Sequence, residues 1–97
     1  MNVVLRVRLR NPAGGGGVSR NYYKKLLTDV AWVPDVGDRV ETPLDRRPLD
    51  VVARTWIGDR LETVELALEV PKVMYETVDM YRGSCDLLEG EGWTATR

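Results

Sequence analysis

The first ten residues alternate between apolar and polar side chains, which is the pattern of a β-strand with one buried face. Odd positions from Val3 to Leu9 are apolar, so we expect them to face the core. The other face carries three arginines, Arg6, Arg8 and Arg10. The pattern therefore predicts a strand with a basic outer surface that ends at Asn11-Pro12.

Four consecutive glycines lie within the next segment, Asn11 to Ser19. Glycine has no side chain that would restrict the backbone conformation. We predict a mobile loop that joins two strands of a long hairpin. Tyr22 to Val33 is predicted as the returning strand, because it contains two tyrosines and closes on Val30-Ala31-Trp32-Val33. Lys24 to Leu27 also tolerates a helix, and that alternative stays open at this point.

Turn residues divide the middle of the chain. Pro34 to Asp38 predicts a turn before a short strand, Arg39 to Glu41, and Thr42 to Pro48 predicts a second loop. The β-branched segment Leu49 to Trp56 predicts a strand, followed by a turn. It forms a hairpin with the alternating segment Glu62 to Val70, which is the clearest strand in the chain.

After Pro71 the apolar spacing changes to three or four residues, which indicates a helix. The apolar positions in this spacing are Met74, Val78, Tyr81, Cys85 and Leu88. Pro71 suits the start of a helix and Gly90 its end, while Gly83-Ser84 either bends the helix or divides it in two. Trp93 is expected to fold back onto the core.

These elements predict a mainly β (α+β) fold, an antiparallel twisted sheet of about five strands or a small barrel with a C-terminal helix. The chain has 97 residues, so we expect residues 1–97 to form a single domain. No apolar run approaches the roughly 20 residues that cross a bilayer, and the first strand does not resemble a signal peptide. The single cysteine fits a reducing compartment, so we expect a cytoplasmic protein that does not enter a membrane.

The chain contains no histidine, which removes the commonest general base and the commonest metal ligand. Its only thiol, Cys85, lies in the apolar stripe of the predicted helix, where a buried structural role is expected. The glycine loop lacks the Lys-Ser/Thr of a phosphate-binding loop, and the carboxylates show no spacing typical of metal or acid–base sites. We therefore expect a protein that is not an enzyme and that uses no cofactor or metal.

Charge is distributed unevenly along the chain, although the net charge is only −1. The first 28 residues hold six basic side chains and no acid, whereas the remainder holds eight basic and 15 acidic side chains. The functional interpretation is an anionic partner, either an acidic protein surface or a nucleic acid. The candidate partner-binding residues are Arg6, Arg8, Arg10, Arg20, Tyr22, Lys24, Lys25 and Trp56.

A purely structural interpretation competes with this one. If the first strand lies beside the last predicted strand, Arg6 and Arg8 pair with Glu65 and Glu69 across the sheet, for about 0.2–1 kcal/mol each. The near-neutral net charge favours this alternative, since dedicated nucleic-acid binders are usually basic.

Aromatic side chains add further candidates. At least two of the three tryptophans, Trp32, Trp56 and Trp93, are expected in the core of so small a domain. Trp56 is the best candidate for an exposed binding residue, because its phase along the strand is opposite to that of Val51. Tyr22 and Tyr23 are adjacent on a predicted strand, so one of them should face outwards.

The segment Trp32-Val33-Pro34-Asp35-Val36-Gly37-Asp38-Arg39-Val40, followed by Val51 to Trp56, resembles a W-x-P-x-V-G-D-x-V turn of small, uncharacterised β proteins from bacteria and phages. The same turn is common in SH3-like small barrels. The resemblance covers only part of the chain. It implies a small β fold, and it assigns neither an activity nor a functional residue.

The leading hypothesis is a non-enzymatic binding or accessory protein that acts on a protein partner. An inhibitor encoded by a phage or mobile element fits this size and charge distribution. One alternative is a small nucleic-acid-binding or regulatory domain that uses the basic N-terminal strand. Another is a structural assembly subunit, such as a virion component, and self-association stays open in every case.

Overall fold

The protein is described from a computed structural model, which covers residues 1–12, 20–44, 48–58 and 62–96. The strands are β1 (Asn2–Arg10), β2 (Arg20–Leu27), β3 (Arg39–Val40), β4 (Leu49–Ile57), β5 (Thr63–Leu68) and β6 (Thr94–Thr96). A 3-10 helix, Lys72–Tyr75, and helix α1, Val78–Gly90, connect β5 to β6. The predicted mainly β class with a C-terminal helix is confirmed. The glycine run and the tip of the turn after Ile57 lie outside the described residues.

All six strands form one curled sheet, in the order β3-β4-β5-β1-β2-β6. The predicted hairpins β1–β2 and β4–β5 are both present, and both are antiparallel. β1 also pairs with β5, and this pair is parallel, because the intervening strands bring the chain back in the direction in which it started. The sheet is therefore mixed, and the described residues form six strands where the sequence predicted about five. β1 and β2, which precede and follow the glycine run in the sequence, lie inside the sheet, and neither is an edge.

The core lies between the inner face of the sheet and α1. Val7 and Leu66, in the two central strands, are both 0% exposed. From the helix come the buried residues Tyr81, Ser84, Cys85 and Leu88. The alternation predicted for β1 and β5 is confirmed, so their remaining side chains lie on the outer face of the sheet, away from α1.

Helix α1 begins at Val78 and not near Pro71, because Pro71 instead precedes the 3-10 helix. The α-helix starts where Thr77 can cap it. The backbone N–H of Met80 donates to the Thr77 Oγ1 at 3.2 Å, which satisfies one of the donors that a helix leaves unpaired at its first turn.

The predicted interruption at Gly83-Ser84 does not occur, and α1 runs through both residues. Ser84 is buried, and its hydroxyl donates to the carbonyl of Met74 at 2.7 Å, which ties the helix to the 3-10 segment. After the helix, Gly92 takes a φ of 85°, a conformation that favours glycine. Trp93 then folds onto the core at 5% exposure, as predicted, and this brings the next residues alongside β2 as β6.

The returning strand is shorter than predicted. Lys24 to Leu27 is strand and not helix, but β2 ends at Leu27, so the prediction of strand as far as Val33 is wrong. Asp29 adopts a φ of 55°, and the N–H of Val30 donates to the carbonyl of Met1 at 2.9 Å. This turn carries the chain across the end of β1, where Val30 and Val33 pack against the core without joining the sheet.

The expectation of at least two core tryptophans is also wrong. Only Trp93 is buried, whereas Trp32 and Trp56 are 66% and 41% exposed. A shift of register in β4, between Val51 and Ala53, changes which face the following residues occupy. Trp56 consequently lies opposite the buried Val64 on the inner side of the sheet, yet it remains exposed.

Candidate functional site

The outer face of the sheet carries most of the candidate partner-binding residues. Arg6, Arg8 and Arg10 point away from the core because they alternate with its buried residues along β1. Successive arginines are about 6.6 Å apart, at a rise of about 3.3 Å per residue. β2 adds Lys24 and Tyr22 to the same face, since they lie directly opposite Arg6 and Arg8. The two strands together present a basic surface with an aromatic ring inside it.

One carboxylate neutralises part of this surface. Glu65, on β5, lies 2.9 Å from Nη1 of Arg6 and 3.3 Å from Nζ of Lys24. Its side chain is only 15% exposed, whereas those of the two cations are 38% and 39% exposed. The structural interpretation therefore applies to Arg6, because its charge is balanced within the sheet.

Arg8 and Arg10 are in a different position. Within the described residues neither has a carboxylate at 4.0 Å or less, so the expected pair between Arg8 and Glu69 does not form. The guanidinium carbon of Arg8 lies 5.9 Å from the centre of the Tyr22 ring, and that of Arg6 lies 5.6 Å from it. Such cation–π contacts hold a guanidinium group in place without using its N–H donors. Among the described residues, no carboxylate competes with a ligand for the N–H donors of the exposed Arg8 and Arg10.

Arg6, Arg8 and Arg10 border an open cavity of about 490 Å³. Its other lining residues are Tyr22, Val52, Ala67, Leu68, Glu69, Val70 and Tyr75. Ala67 accounts for the space, because it lies between Arg6 and Ala53 in the sheet and its methyl group fills little volume. The 3-10 helix brings Tyr75 to the far side of the cavity. Pockets of this volume hold small ligands or the side chains of a partner.

The cavity is electropositive. Three arginines and one glutamate line it. Because Glu65 balances Arg6, the charges of Arg8 and Arg10 together exceed that of the single lining acid, Glu69. A partly enclosed cavity with an excess of one charge concentrates ligands of the opposite charge. The arrangement can therefore bind an anion, and the apolar wall of Val52 and Val70 adds contact area for an uncharged part of the same ligand.

The remaining sequence-predicted residues do not join this cavity. Lys25 lies on the opposite face of β2, where its Nζ donates to the carbonyl of Glu91 at 2.9 Å and stabilises the end of α1. Trp56 lies on β4, toward the other end of the sheet. Arg20 is paired with Arg10 in the backbone register, and its side chain lies outside the described part of the chain.

The inner face holds a buried cluster that the sequence indicated only in part. Tyr23 is 2% exposed, and its hydroxyl donates to Oε1 of Glu89 at 3.3 Å. Burial raises the pKa of Tyr23 far above its usual value, and Cys85 and Glu89 act in the same direction. Cys85 is itself buried, as predicted. This cluster belongs to the packing of α1 against β2.

Sequence reasoning missed six residues that line the cavity: Val52, Ala67, Leu68, Glu69, Val70 and Tyr75. The alternation along residues 62–70 already placed Ala67 and Glu69 on the outer face, so a small residue between two acids was the available signal. Tyr75 carried no such signal, because only the fold of the 3-10 helix brings it to the cavity.

No protein-family model matches this chain, and the searches of curated proteins and solved structures found no match. None of the described helices is long and apolar enough to cross a membrane. Within residues 1–12, 20–44, 48–58 and 62–96, no cluster of three or more acidic or thiol side chains could hold a metal ion. The function therefore has to be argued from the outer-face cavity itself.

Proposed function

We propose that this protein is a non-enzymatic binding module that holds an acidic, extended segment of a partner protein on the outer face of its sheet. The observation that carries the proposal is the pair Arg8 and Arg10, which border the cavity without an acidic partner among the described residues. A guanidinium group can donate two parallel hydrogen bonds to a carboxylate, and such charge-assisted bonds are among the strongest in proteins.

The spacing of the two arginines fits an extended peptide. In an extended chain every second side chain lies on the same face, at a repeat of about 6.6 Å. This is the repeat of Arg8 and Arg10 along β1. A segment that runs along β1 with acidic residues at alternate positions would place one carboxylate on each arginine. An apolar side chain of the same segment would contact Val52, Val70 and Tyr75.

The acids of the outer face favour a protein partner over a nucleic acid. Glu69 lines the cavity, and Glu65 lies beside it between two cations. Every nucleotide of a nucleic acid brings a phosphate, so a strand along β1 would pass close to both carboxylates. A peptide can present a neutral side chain at those points. The net charge of −1 also opposes the long-range attraction that nucleic-acid binding needs.

The test is a titration of a fluorescein-labelled peptide with glutamate at three alternate positions, followed by fluorescence anisotropy. We expect Arg8→Glu with Arg10→Glu to weaken binding at least about a hundredfold, because each lost charge-assisted bond costs about 1.5–3 kcal/mol. The matched control is Arg39→Glu with Arg82→Glu. It changes the net charge by the same amount as the first double variant, but at exposed arginines that do not line the cavity.

Two further measurements distinguish specific peptide binding from non-specific attraction and from nucleic-acid binding. Ala67→Leu leaves the charge unchanged and fills the cavity, so it should weaken a peptide with a central leucine more than one with a central glycine. An oligothymidylate of equal charge serves as the competitor. If both double variants weaken the peptide equally, the interaction is non-specific and the proposal fails. Tighter binding of the oligothymidylate, abolished only in the Arg8 and Arg10 variant, would instead assign the surface to nucleic acid.

A further inference from the structure

β4 lies next to the edge strand β3, which has only two residues and leaves the outer side of β4 uncovered over most of its length. On one side β4 pairs with β5 from Val51 to Ile57, with one bulge, but on the other side β3 covers only Leu49 and Asp50. The turn before β3 adds two backbone hydrogen bonds, both to Val51, at 2.8 Å each. Beyond Val51 the outer edge of β4 has no backbone partner among the described residues, and residues 52–57 are all exposed.

This edge lacks the usual protection against strand pairing. In natural proteins, lysine, proline or a very short length prevents an edge strand from pairing with another chain. β6, the opposite edge, has only three residues, whereas residues 52–57 contain neither lysine nor proline. The single charge there, Arg54, forms an ion pair with Asp35 of its own chain. The bulge in β4 precedes Ala53, so residues 53–57 keep regular register with β5 and present a straight edge.

We propose that β4 pairs antiparallel with β4 of a second copy of this chain, with Thr55 on the two-fold axis. In this register Thr55 faces Thr55 of the second copy, Ala53 faces Ile57, and Arg54 faces Trp56. Away from the axis each small or flexible side chain thus meets a large one, and each Arg54 lies beside an exposed indole ring, a favourable cation–π pair.

Other registers are less favourable for physical reasons. Residues directly opposite in a sheet must lie on the same face, so only shifts of two residues are allowed. A shift in one direction places Arg54 opposite Arg54, and like charges in that position are destabilising. A shift in the other direction places Trp56 opposite Trp56 and leaves Ala53 without a partner residue in β4. The Thr55-centred register avoids the charge conflict and pairs more residues of β4 than the Trp56-centred register does.

The dimer would also orient the outer-face cavities. A two-fold axis between antiparallel strands is perpendicular to the sheet, so the outer faces of both copies lie on the same side. The two β1 strands would be five strand spacings apart, about 24 Å. A dimer of this kind presents two Arg8 and Arg10 pairs to one partner, although its formation does not depend on the proposed peptide binding.

Two single substitutions test the register. Thr55→Cys places two thiols in opposite positions, about 5 Å apart between Cα atoms, which suits a disulfide. Ala53→Cys is the matched control, because its two copies would be about 13 Å apart along the strands. Under mild oxidation we expect Thr55→Cys to give a covalent dimer on non-reducing gels. We expect Ala53→Cys and the wild-type chain, whose Cys85 is buried, to stay at the monomer position.

A third substitution tests the dimer without a disulfide. Thr55→Lys places two ammonium groups opposite each other on the axis, yet a folded monomer accepts it because Glu65 lies across from Thr55 on β5. Light scattering should give twice 11.0 kDa for the wild type, and Thr55→Lys should raise the dimer dissociation constant at least tenfold. A wild type that stays monomeric at millimolar concentration would overturn the proposal. Equal cross-linking of the two cysteine variants, or a dimer unaffected by Thr55→Lys, would do the same.

Discussion

The buried hydroxyl of Tyr23 should make the stability of this protein sensitive to alkaline pH. Tyr23 packs in the core at 2% exposure, and its hydroxyl donates to Glu89 at 3.3 Å. Burial, with Cys85 and Glu89 nearby, raises the pKa of Tyr23 well above its ordinary value of about 10. The substitution Tyr23→Phe removes the ionisable group and leaves the ring in place.

The expected effect changes sign with pH. At pH 7 the variant loses one hydrogen bond, so its free energy of unfolding should be about 1 kcal/mol lower than that of the wild type. Above about pH 10 the unfolded wild-type chain loses the Tyr23 proton, whereas the folded chain keeps it. The unfolded state then binds fewer protons, and the wild type loses about 1.4 kcal/mol of stability per pH unit through this residue. Phenylalanine loses nothing, so the two proteins should be equally stable near about pH 11.

Urea unfolding followed by circular dichroism at pH 7, 9, 10, 11 and 11.5 measures this difference. Ionisations of groups that do not contact Tyr23 are common to both proteins, so they cancel when the two free energies of unfolding are subtracted at each pH. We expect a constant difference up to pH 9, a crossing near pH 11 and a more stable variant at pH 11.5. A difference that stays constant over the whole range would show that Tyr23 ionises equally in both states, which would refute the argument from burial.

Two further substitutions test the packing. Leu66→Ala removes a side chain that is 0% exposed in the centre of the sheet, so we expect a loss of about 2–5 kcal/mol in urea unfolding; a loss below about 1 kcal/mol would contradict the assigned core. Thr77→Ala removes the cap of α1 and should cost about 1 kcal/mol. Thr77→Ser keeps the capping oxygen and should retain most of that stability, whereas equal losses in the two variants would argue against the cap.

The faces of the central strands follow from the sequence alone. Strict alternation along β1 and β5 specifies which side chains enter the core, since successive residues of a strand must point to opposite sides of the sheet. The same alternation places Arg6, Arg8 and Arg10 together on the outer face. The sequence also indicates that Trp93 returns to the core, because a large apolar side chain after a helix end gains most by burial.

Which of these charges are available to a ligand depends on the order of the strands. Glu65 neutralises Arg6 and Lys24 because β5 lies beside β1, and the sequence could name the pair of Glu65 with Arg6 only as a conditional alternative. Lys25 lies on the opposite face because residues 20–27 form a strand, whereas the sequence of this segment is also compatible with a helix. Alternation within a strand is local and can be recognised in the sequence. The order of strands depends on contacts between distant segments, and local periodicity carries no information about them.

The cavity and the edge of β4 depend on the tertiary structure in the same way. A single register shift near Val52 moves every later residue of β4 to the other face. The alternation of apolar and polar residues in that segment does not predict the shift. Tyr75 reaches the cavity only because a 3-10 helix replaces the start of the predicted α-helix. The sequence thus specified where polar and apolar side chains lie along each strand. The packing of the strands against one another decided which of those side chains meet.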